Sequence, residues 1–575
     1  MMQGLVILKL YVYLKKNYFT ATLISIMKKI TISLALCALS CIIATAQIPT
    51  DYKVLADTSR EPIADGPYSP TPEGLSGFEC PEWFANAKFG IWAHWGPQCA
   101  PEDGDWYGRN MYDENSHNYQ YQIDAMGHPS EFGFKDWLPR FKAEKWDPEA
   151  LIKLYKEVGA RYFMALANHH DNFDLYDSKY QEWNSVAIGP ERDIIGEWKA
   201  ACEKYGMPFG VSVHASHAWS WYESSRGADT KGALKGVPYD GWLTKEDGAG
   251  KWWEGLDPQE LYAQNHPYRP NLGVWDWWEW QPGRVDAPDQ AYIDKFYNRT
   301  VQLINDYNPD IIYFDDSYLP LWPVSDVGLK ITAHMYNKSV AANGTNKSVI
   351  TAKQLNDWQE KTVLRDVERG ALDHISEKPW QTCTCIGEWH YDKHVFYRQG
   401  YKPAALVIGM LVDIVSKNGN LLLSVPLKSD GSLDSEEIKI LERLGAWMKI
   451  NSESIYDTKP WKIFGEGPAA EEVNPLSGPG FNEGKLMYGS KDIRFTSKGD
   501  NVIYVTVFGI PEESTVIRSL GRKTEYNTRK IKTVELLGSD AEVSWTQTGD
   551  NLSIAAPASA PAREAIVYKV TLSRL

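Results

Sequence analysis

The stretch Pro309-Asp310-Ile311-Ile312-Tyr313-Phe314-Asp315-Asp316 decides how the rest of the chain is read. Its four consecutive apolar residues make a short strand buried on both faces, and two acids follow at its C-terminal end. Before it, residues 292–307 have the apolar spacing of a helix. The same order recurs along the chain. A helix over 148–158 leads to a strand over 160–167, and a helix over 194–205 leads to a strand over 209–214. Further strands are expected at 89–94, 349–352, 371–374 and 421–425, with a long helix over 435–451. Strands alternating with helices imply a parallel sheet. Polar and aromatic residues collect just after these strands: His94-Trp95, His169-His170, His214 and Asp315-Asp316. A (β/α)8 barrel keeps its reactive groups at that rim. With no glycine-rich phosphate loop, the α/β reading is a (β/α)8-like barrel rather than a doubly wound sheet.

Working outward, residues 47–77 are rich in Pro and Gly and read as a linker, with the barrel over 78–460. A segment at about 215–290 holds Trp252-Trp253 and Trp275-Asp276-Trp277-Trp278, and is too long for a plain connector. It is expected to fold over the barrel mouth and present stacking residues. After Trp461 the period changes to two. Short runs at 485–487, 492–496, 501–508, 533–536, 543–546, 552–555 and 565–572 predict a C-terminal antiparallel β-sandwich over 461–575. At the other end, Met27-Lys28-Lys29, an apolar run over 30–43 and Ala44-Thr45-Ala46 form a secretory signal, with Met27 the expected start. Its removal with the first 26 residues takes away Lys9, Lys15, Lys16, Lys28 and Lys29 and no acid, so the charge moves from −15 to −20. A secreted or periplasmic protein follows; lipidation at Cys41 is the lesser alternative, because Ala38-Leu39-Ser40 is a poor lipoprotein box.

Composition narrows the function. Apolar residues are 43% and charged residues 23% of the 575, as in ordinary soluble proteins, and no like-charge block suggests a disordered scaffold. The acidic balance argues against a nucleic-acid partner, which needs a basic face. The run over 30–43 is too short for a membrane span, so no integral membrane association is expected. Counts of 24 Trp and 32 Tyr are high, and flat aromatic faces stack on sugar rings, which makes a glycan the first partner to test. Five cysteines remain after the signal, an odd number that argues against a full disulfide framework. Neither H-E-x-x-H, nor a P-loop, nor a dinucleotide fingerprint is present, so no metal and no cofactor is expected. Cys383-Thr384-Cys385 reads as packing on a strand. Oligomeric state is left open.

Several ordered motifs then coincide. They are 87–96 (Ala-Lys-Phe-Gly-Ile-Trp-Ala-His-Trp-Gly), Asp105-Trp106-Tyr107, His169-His170-Asp171-Asn172-Phe173, Trp183-Asn184-Ser185, 309–315, Glu368-Arg369-Gly370, Pro379-Trp380 and Gly419-Asn420-Leu421-Leu422-Leu423. With these, the chain resembles glycoside hydrolase family 29, the α-L-fucosidases, over about 80–465. The resemblance implies a (β/α)8-like domain followed by a β-sandwich, and a retaining exo-glycosidase acting on terminal α-L-fucosyl-configured residues. Such chemistry uses two carboxyl groups about 5 Å apart. By resemblance Asp315 is the nucleophile, Asp316 the weaker candidate, and Arg369 the cation that holds Asp315 ionised. His94, Asp105, Trp106, His169, His170, His214 and Tyr313 would bind the sugar. Asp105 stands where many relatives have Glu, and Tyr313 where some have Trp. The adjacent His pair is not expected to hold metal, because neighbours on a strand point apart. The main departure is Gln381, where relatives often carry the acid/base Glu. An amide cannot protonate a leaving group, so Glu388 is the expected acid/base, with Glu377 and Glu254 weaker. An α-L-galactosidase, or a catalytically silent glycan binder, are the alternatives.

Overall fold

A computed structural model describes residues 52–573 apart from 270–286, 473, 478–479 and 486. The signal sequence, Cys41 and the Trp275–Trp278 cluster lie outside the described residues. Eight parallel strands close into a barrel in sequence order: β1 (Phe89–Ala93), β2 (Tyr162–Asn168), β3 (Phe209–Val213), β4 (Ile311–Ser317), β5 (Val349–Lys353), β6 (Leu364–Glu368), β7 (Trp380–Cys385) and β8 (Gly419–Ser424). Strand β8 pairs with β1 through Phe89 and Leu421, which completes the ring.

The outer helices form for local reasons. Helix α1 (Pro148–Val158) starts with Pro148 behind Asp147, whose carboxylate accepts from the Ala150 amide. It stops at Gly159, whose φ of 112° suits only glycine. Leu151, Ile152, Tyr155 and Val158 form its buried face. Helices α2 (Ile194–Tyr205) and α3 (Gln290–Tyr307) are capped in the same way by Asp193 and Asp289. Helices α4 (Val327–Asn343), α5 (Ala404–Ser416) and α6 (Ser435–Asn451) follow β4, β7 and β8.

Two barrel strands differ from the sequence reading. No strand covers 371–374; β6 and β7 supply the sixth and seventh positions instead. Apart from Cys383-Thr384-Cys385, read as strand, they are hidden because polar residues face inward. The Gln381 amide donates to Asp366 Oδ1 at 2.8 Å and accepts from the Tyr162 hydroxyl at 3.0 Å, while Cys383 Sγ lies 3.0 Å from Asp366 Oδ2. These groups satisfy one another inside the barrel, so no apolar run is needed. Cys383 and Cys385 are buried, and the five cysteines at 80, 99, 202, 383 and 385 are unpaired.

Other expectations also need correction. The described part of 47–77 is packed rather than loose: Ala56 and Leu75 are buried, and Asn337 on α4 accepts from the Tyr68 amide at 2.9 Å. Within 215–290, Trp219, Trp221 and Trp253 sit in the core, while Trp242 and Trp252 are half-exposed; none of the five lines the cavity at the barrel mouth.

The boundary at 460 falls inside β9 (Lys459–Glu466), an edge strand of a five-stranded antiparallel sheet. With β10 (Ile493–Lys498), β11 (Val502–Phe508), β12 (Thr515–Ile517), β13 (Ile531–Leu536), β14 (Trp545–Gln547), β15 (Leu552–Ile554) and β16 (Ala565–Leu572), the order is β13-β16-β11-β10-β9 facing β12-β15-β14. No strand covers the described residues of 485–487. The sandwich docks on the barrel through α5 and α6. Trp447, buried on α6, donates to the Ala565 carbonyl at 2.9 Å, and Arg494 on β10 pairs with buried Asp413 on α5. Trp447→Ala should cost about 3–5 kcal/mol by leaving a cavity at this contact. Urea unfolding followed by fluorescence should show an earlier transition; an unchanged midpoint would show that the contact does not hold the two layers together.

Candidate active site

A cavity of about 530 Å³ opens at the C-terminal rim of the barrel. Its floor and walls include Trp92, His94, Asp105, Trp106, His169, His214, Tyr313 and Asp315, with Lys353, Gln354, Glu368, Arg369, Glu388, Trp389 and Phe481 on the remaining sides. Asp315 comes from the C-terminal half of β4, past the apolar residues Ile311–Phe314 that anchor the strand, and is 7% exposed.

Both oxygens of this carboxylate have partners. His170 Nε2 lies 3.3 Å and His214 Nδ1 3.2 Å from Oδ2. The Tyr313 hydroxyl donates to Oδ1 at 3.3 Å, and the Lys353 ammonium contacts the same oxygen. Burial by itself would raise the Asp315 pKa, but the Lys353 ammonium and then His214 outweigh it and hold the carboxyl well below the ordinary range. Lys353 also contacts Glu368 Oε2, at the end of β6. One ammonium touching both carboxylates keeps their nearest oxygens within about 5 Å of each other. Burial, offset by Lys353 and reinforced by Asp315, leaves the Glu368 pKa raised. Lys353 loses from burial and gains more from Asp315 and Glu368, so it stays charged.

The histidines surround the opposite wall. Burial above all keeps His94 and His169 neutral, with neighbouring histidines adding to the effect. The Gln98 amide lies 2.7 Å from His169 Nδ1, and Asp105 Oδ1 lies 2.7 Å from His390 Nδ1. His170 is pushed down to about 4 by burial against the opposing pull of Asp315. The rings of His169 and His170 do not point apart, as strand neighbours would. They lie beyond the end of β2, with centroids 4.4 Å apart, and the nitrogens of His169, His170 and His214 come within 4.8 Å of one another.

An α-L-fucosidase family model matches residues 55–453, and an α-L-fucosidase C-terminal domain model matches 488–572. The chain belongs to the α-L-fucosidase family. Tissue α-L-fucosidase of Rattus norvegicus is 26% identical over 498 residues, covering 84% of this chain and 87% of the relative. The Homo sapiens tissue enzyme is 26% identical over 513 residues, covering 88% and 92%. The crystal structure of Thermotoga maritima α-fucosidase has the same fold, with a TM-score of 0.61 at 24% identity, over 88% of this chain and all of that one. Members of the family are glycoside hydrolases, and so is this chain. Residues 454–487 lie between the two matched regions.

Against this family background the expected residues fall into three groups. His94, Asp105, Trp106, His169, His214, Tyr313 and Asp315 are brought together in one cavity. His170 does not line it; its Nε2 faces Asp315 Oδ2 at 3.3 Å. Asp316 points away: it accepts from Ser216 Oγ at 2.9 Å and lies 3.0 Å from His217. Arg369 lines the cavity but does not hold Asp315; its Nε donates to Glu483 at 2.8 Å. Lys353 does that work. It was missed because it stands one residue past the expected strand, and Glu368 was missed because β6 has no apolar run. Gln381 is fully buried at the second position of β7, below the cavity. A carboxyl at that position of this backbone would face the barrel interior. Glu377 and Glu254 do not line the cavity. Glu388 does, from the loop after β7, with about a third of its side chain exposed and Arg398 3.8 Å away. Its pKa is raised, chiefly by burial and against the nearby Arg369.

Replacing Lys353 by Met removes the largest influence holding the Asp315 pKa down, so that pKa should rise. An acid limb of kcat/KM set by protonation of Asp315 should then move to higher pH. A pH profile with an unmoved acid limb would dismiss Lys353 as the controlling charge.

Proposed function

We propose that the chain is a retaining exo-glycosidase that hydrolyses terminal α-L-fucosyl residues, with Asp315 as nucleophile and Glu368 as acid/base. The observation that supports this reading is the single ammonium of Lys353 in contact with both carboxylates, which keeps them as the close pair that double displacement uses. In the first step an Asp315 oxygen bonds to C1, the glycosidic C–O bond breaks, and Glu368 gives its proton to the leaving oxygen. In the second, Glu368 takes a proton from water, the water oxygen bonds to C1, and the ester to Asp315 breaks. The sugar leaves with its anomeric configuration unchanged.

The charge pattern suits both steps. While Asp315 is ionised it favours the protonated, acidic form of Glu368. Once Asp315 is esterified that repulsion ends, and Lys353 then favours ionised Glu368, the form that acts as base. Neutral histidines and Asp105 offer donors and acceptors to ring hydroxyls, and Trp92 and Trp106 offer apolar faces. The named relatives are all fucosidases, which favours L-fucose over L-galactose. An ionised, cavity-facing Asp315 favours catalysis over silent binding. The Lys28-Lys29 start, apolar run and Ala-Thr-Ala end support secretion and an extracellular oligosaccharide or polysaccharide substrate. Among the described residues no helix is long and apolar enough to cross a membrane.

Glu388 supports a second reading of the acid/base, because it lines the same cavity with a raised pKa. Glu368→Gln and Glu388→Gln separate the two. Loss of general acid help should slow a fucosyl disaccharide by about 10²- to 10⁴-fold in Glu368→Gln, leave α-L-fucosyl fluoride much less affected, and leave Glu388→Gln near wild type. The reverse ranking would move the role to Glu388. Asp315→Ala should abolish turnover of both substrates.

The pH profile gives a further check. A general acid must keep its proton, so kcat/KM should fall as pH rises through the raised Glu368 pKa. That alkaline limb should vanish in Glu368→Gln assayed with the fluoride; a limb that survives there belongs to another group.

A further inference from the structure

We propose that Phe481 forms the platform for the leaving-group sugar, a subsite built by the segment that joins the barrel to the sandwich. This deepens the glycosidase reading and rests on it. Among the described residues, Phe481 is the only one of the exposed large apolar side chains that lines the cavity, and it is 49% exposed there. A large aromatic left half in water beside a sugar site has an unsatisfied apolar face of the kind that sugar C–H surfaces cover.

Its position is set by the backbone next to Glu368. The Phe481 amide donates to the Glu368 carbonyl at 2.7 Å, and the Glu483 amide to the Arg369 carbonyl at 3.0 Å. Gly480 approaches so closely that a Cβ there would stand 1.9 Å from the Glu368 carbonyl oxygen, so only glycine permits the contact. Asn482 accepts from the Ala371 amide at 2.8 Å and donates to the Ala371 carbonyl at 2.9 Å. Glu483 is held by Arg369, by Lys402 at 3.1 Å and by the Thr384 hydroxyl at 2.6 Å. The segment is therefore fastened to the rim on both sides of the aromatic ring.

The side of the cavity identifies the occupant. The acid stands on the leaving-group side of the scissile bond, and Phe481 is hydrogen-bonded to the acid's own residue. The histidines and Trp106 that would grip the fucosyl ring are on the other elements, after β1, β2 and β3. A cavity of about 530 Å³ holds more than one deoxyhexose ring. The residue lies in 454–487, which neither family model covers, so the platform belongs to this chain's own connecting segment.

Two substrates isolate the effect. In Phe481→Ala, kcat/KM for α-L-fucosyl-(1→2)-galactose should fall roughly tenfold, while kcat/KM for α-L-fucosyl fluoride, whose leaving group is too small to reach the ring, should stay at the wild-type value. Phe481→Tyr should restore the disaccharide rate. Calorimetry on Asp315→Ala protein reads binding without turnover: adding Phe481→Ala should weaken the disaccharide roughly tenfold and leave free fucose unchanged. Equal losses for both ligands, or no loss for the disaccharide, would overturn the platform. Failure of wild-type protein to cleave the fluoride would instead count against the glycosidase reading, and the calorimetric comparison would still decide the role of Phe481.

Discussion

One buried ammonium organises the rim of this barrel. Lys353 stands at the end of β5, between Asp315 on β4 and Glu368 on β6, and touches both. Two carboxylates this close, with little water, would repel each other and drive a proton onto one of them. A cation between them lets the pair persist with one member firmly ionised and the other poised. Taking Lys353 out of water is itself unfavourable, and only two anionic partners make its charge tolerable there. The three groups therefore depend on one another, and the three strands must close in register for any of them to keep its state.

The parallel barrel supplies that register. Strands β4, β5 and β6 are neighbours in the barrel, so Asp315, Lys353 and Glu368 near their C-terminal ends gather at one opening. Below the opening, the interior is polar where a sequence reader expects apolar side chains. Asp366, Gln381, Cys383 and Tyr162 saturate one another there. Burial pushes Asp366 up to about 7 even though Cys383 and Gln381 donate to it, so this interior carboxyl ionises far less readily than an ordinary one. This layer separates the site from the bottom of the barrel and explains why position 381 can be an amide without touching the chemistry above.

The connecting segment ties the second domain to the first. Hydrogen bonds from 481–483 reach the backbone of Glu368, Arg369 and Ala371, the residues that follow β6. The sandwich, also held by Trp447 and Arg494, thus braces the strand end that carries Glu368.

How much of this was legible depended on the kind of side chain. Strands β1 to β5 and β8 announce themselves by apolar runs, and Asp315, His94, His169 and His214 follow such runs directly, so the barrel and half of its rim could be read from the residues. Strand β6 and the start of β7 could not, because their inward groups are polar and become acceptable only when their partners arrive from other strands; of β7 only Cys383-Thr384-Cys385 reads as strand. Lys353 and Glu368 share that difficulty: each is an ordinary charged residue in the chain, and their meeting is a matter of strand order. Arg369 shows the converse, a recognisable residue whose partner, Glu483, comes from more than a hundred residues away. The sequence by itself determined the alternation of strand and helix, the change to a sandwich, and the acid at the end of β4, because periodicity and burial are local properties. Which cation holds that acid, which second carboxyl faces it, and which aromatic stands at the mouth were decided by tertiary structure alone, because charge and hydrogen-bond partners are chosen across space and not along the chain.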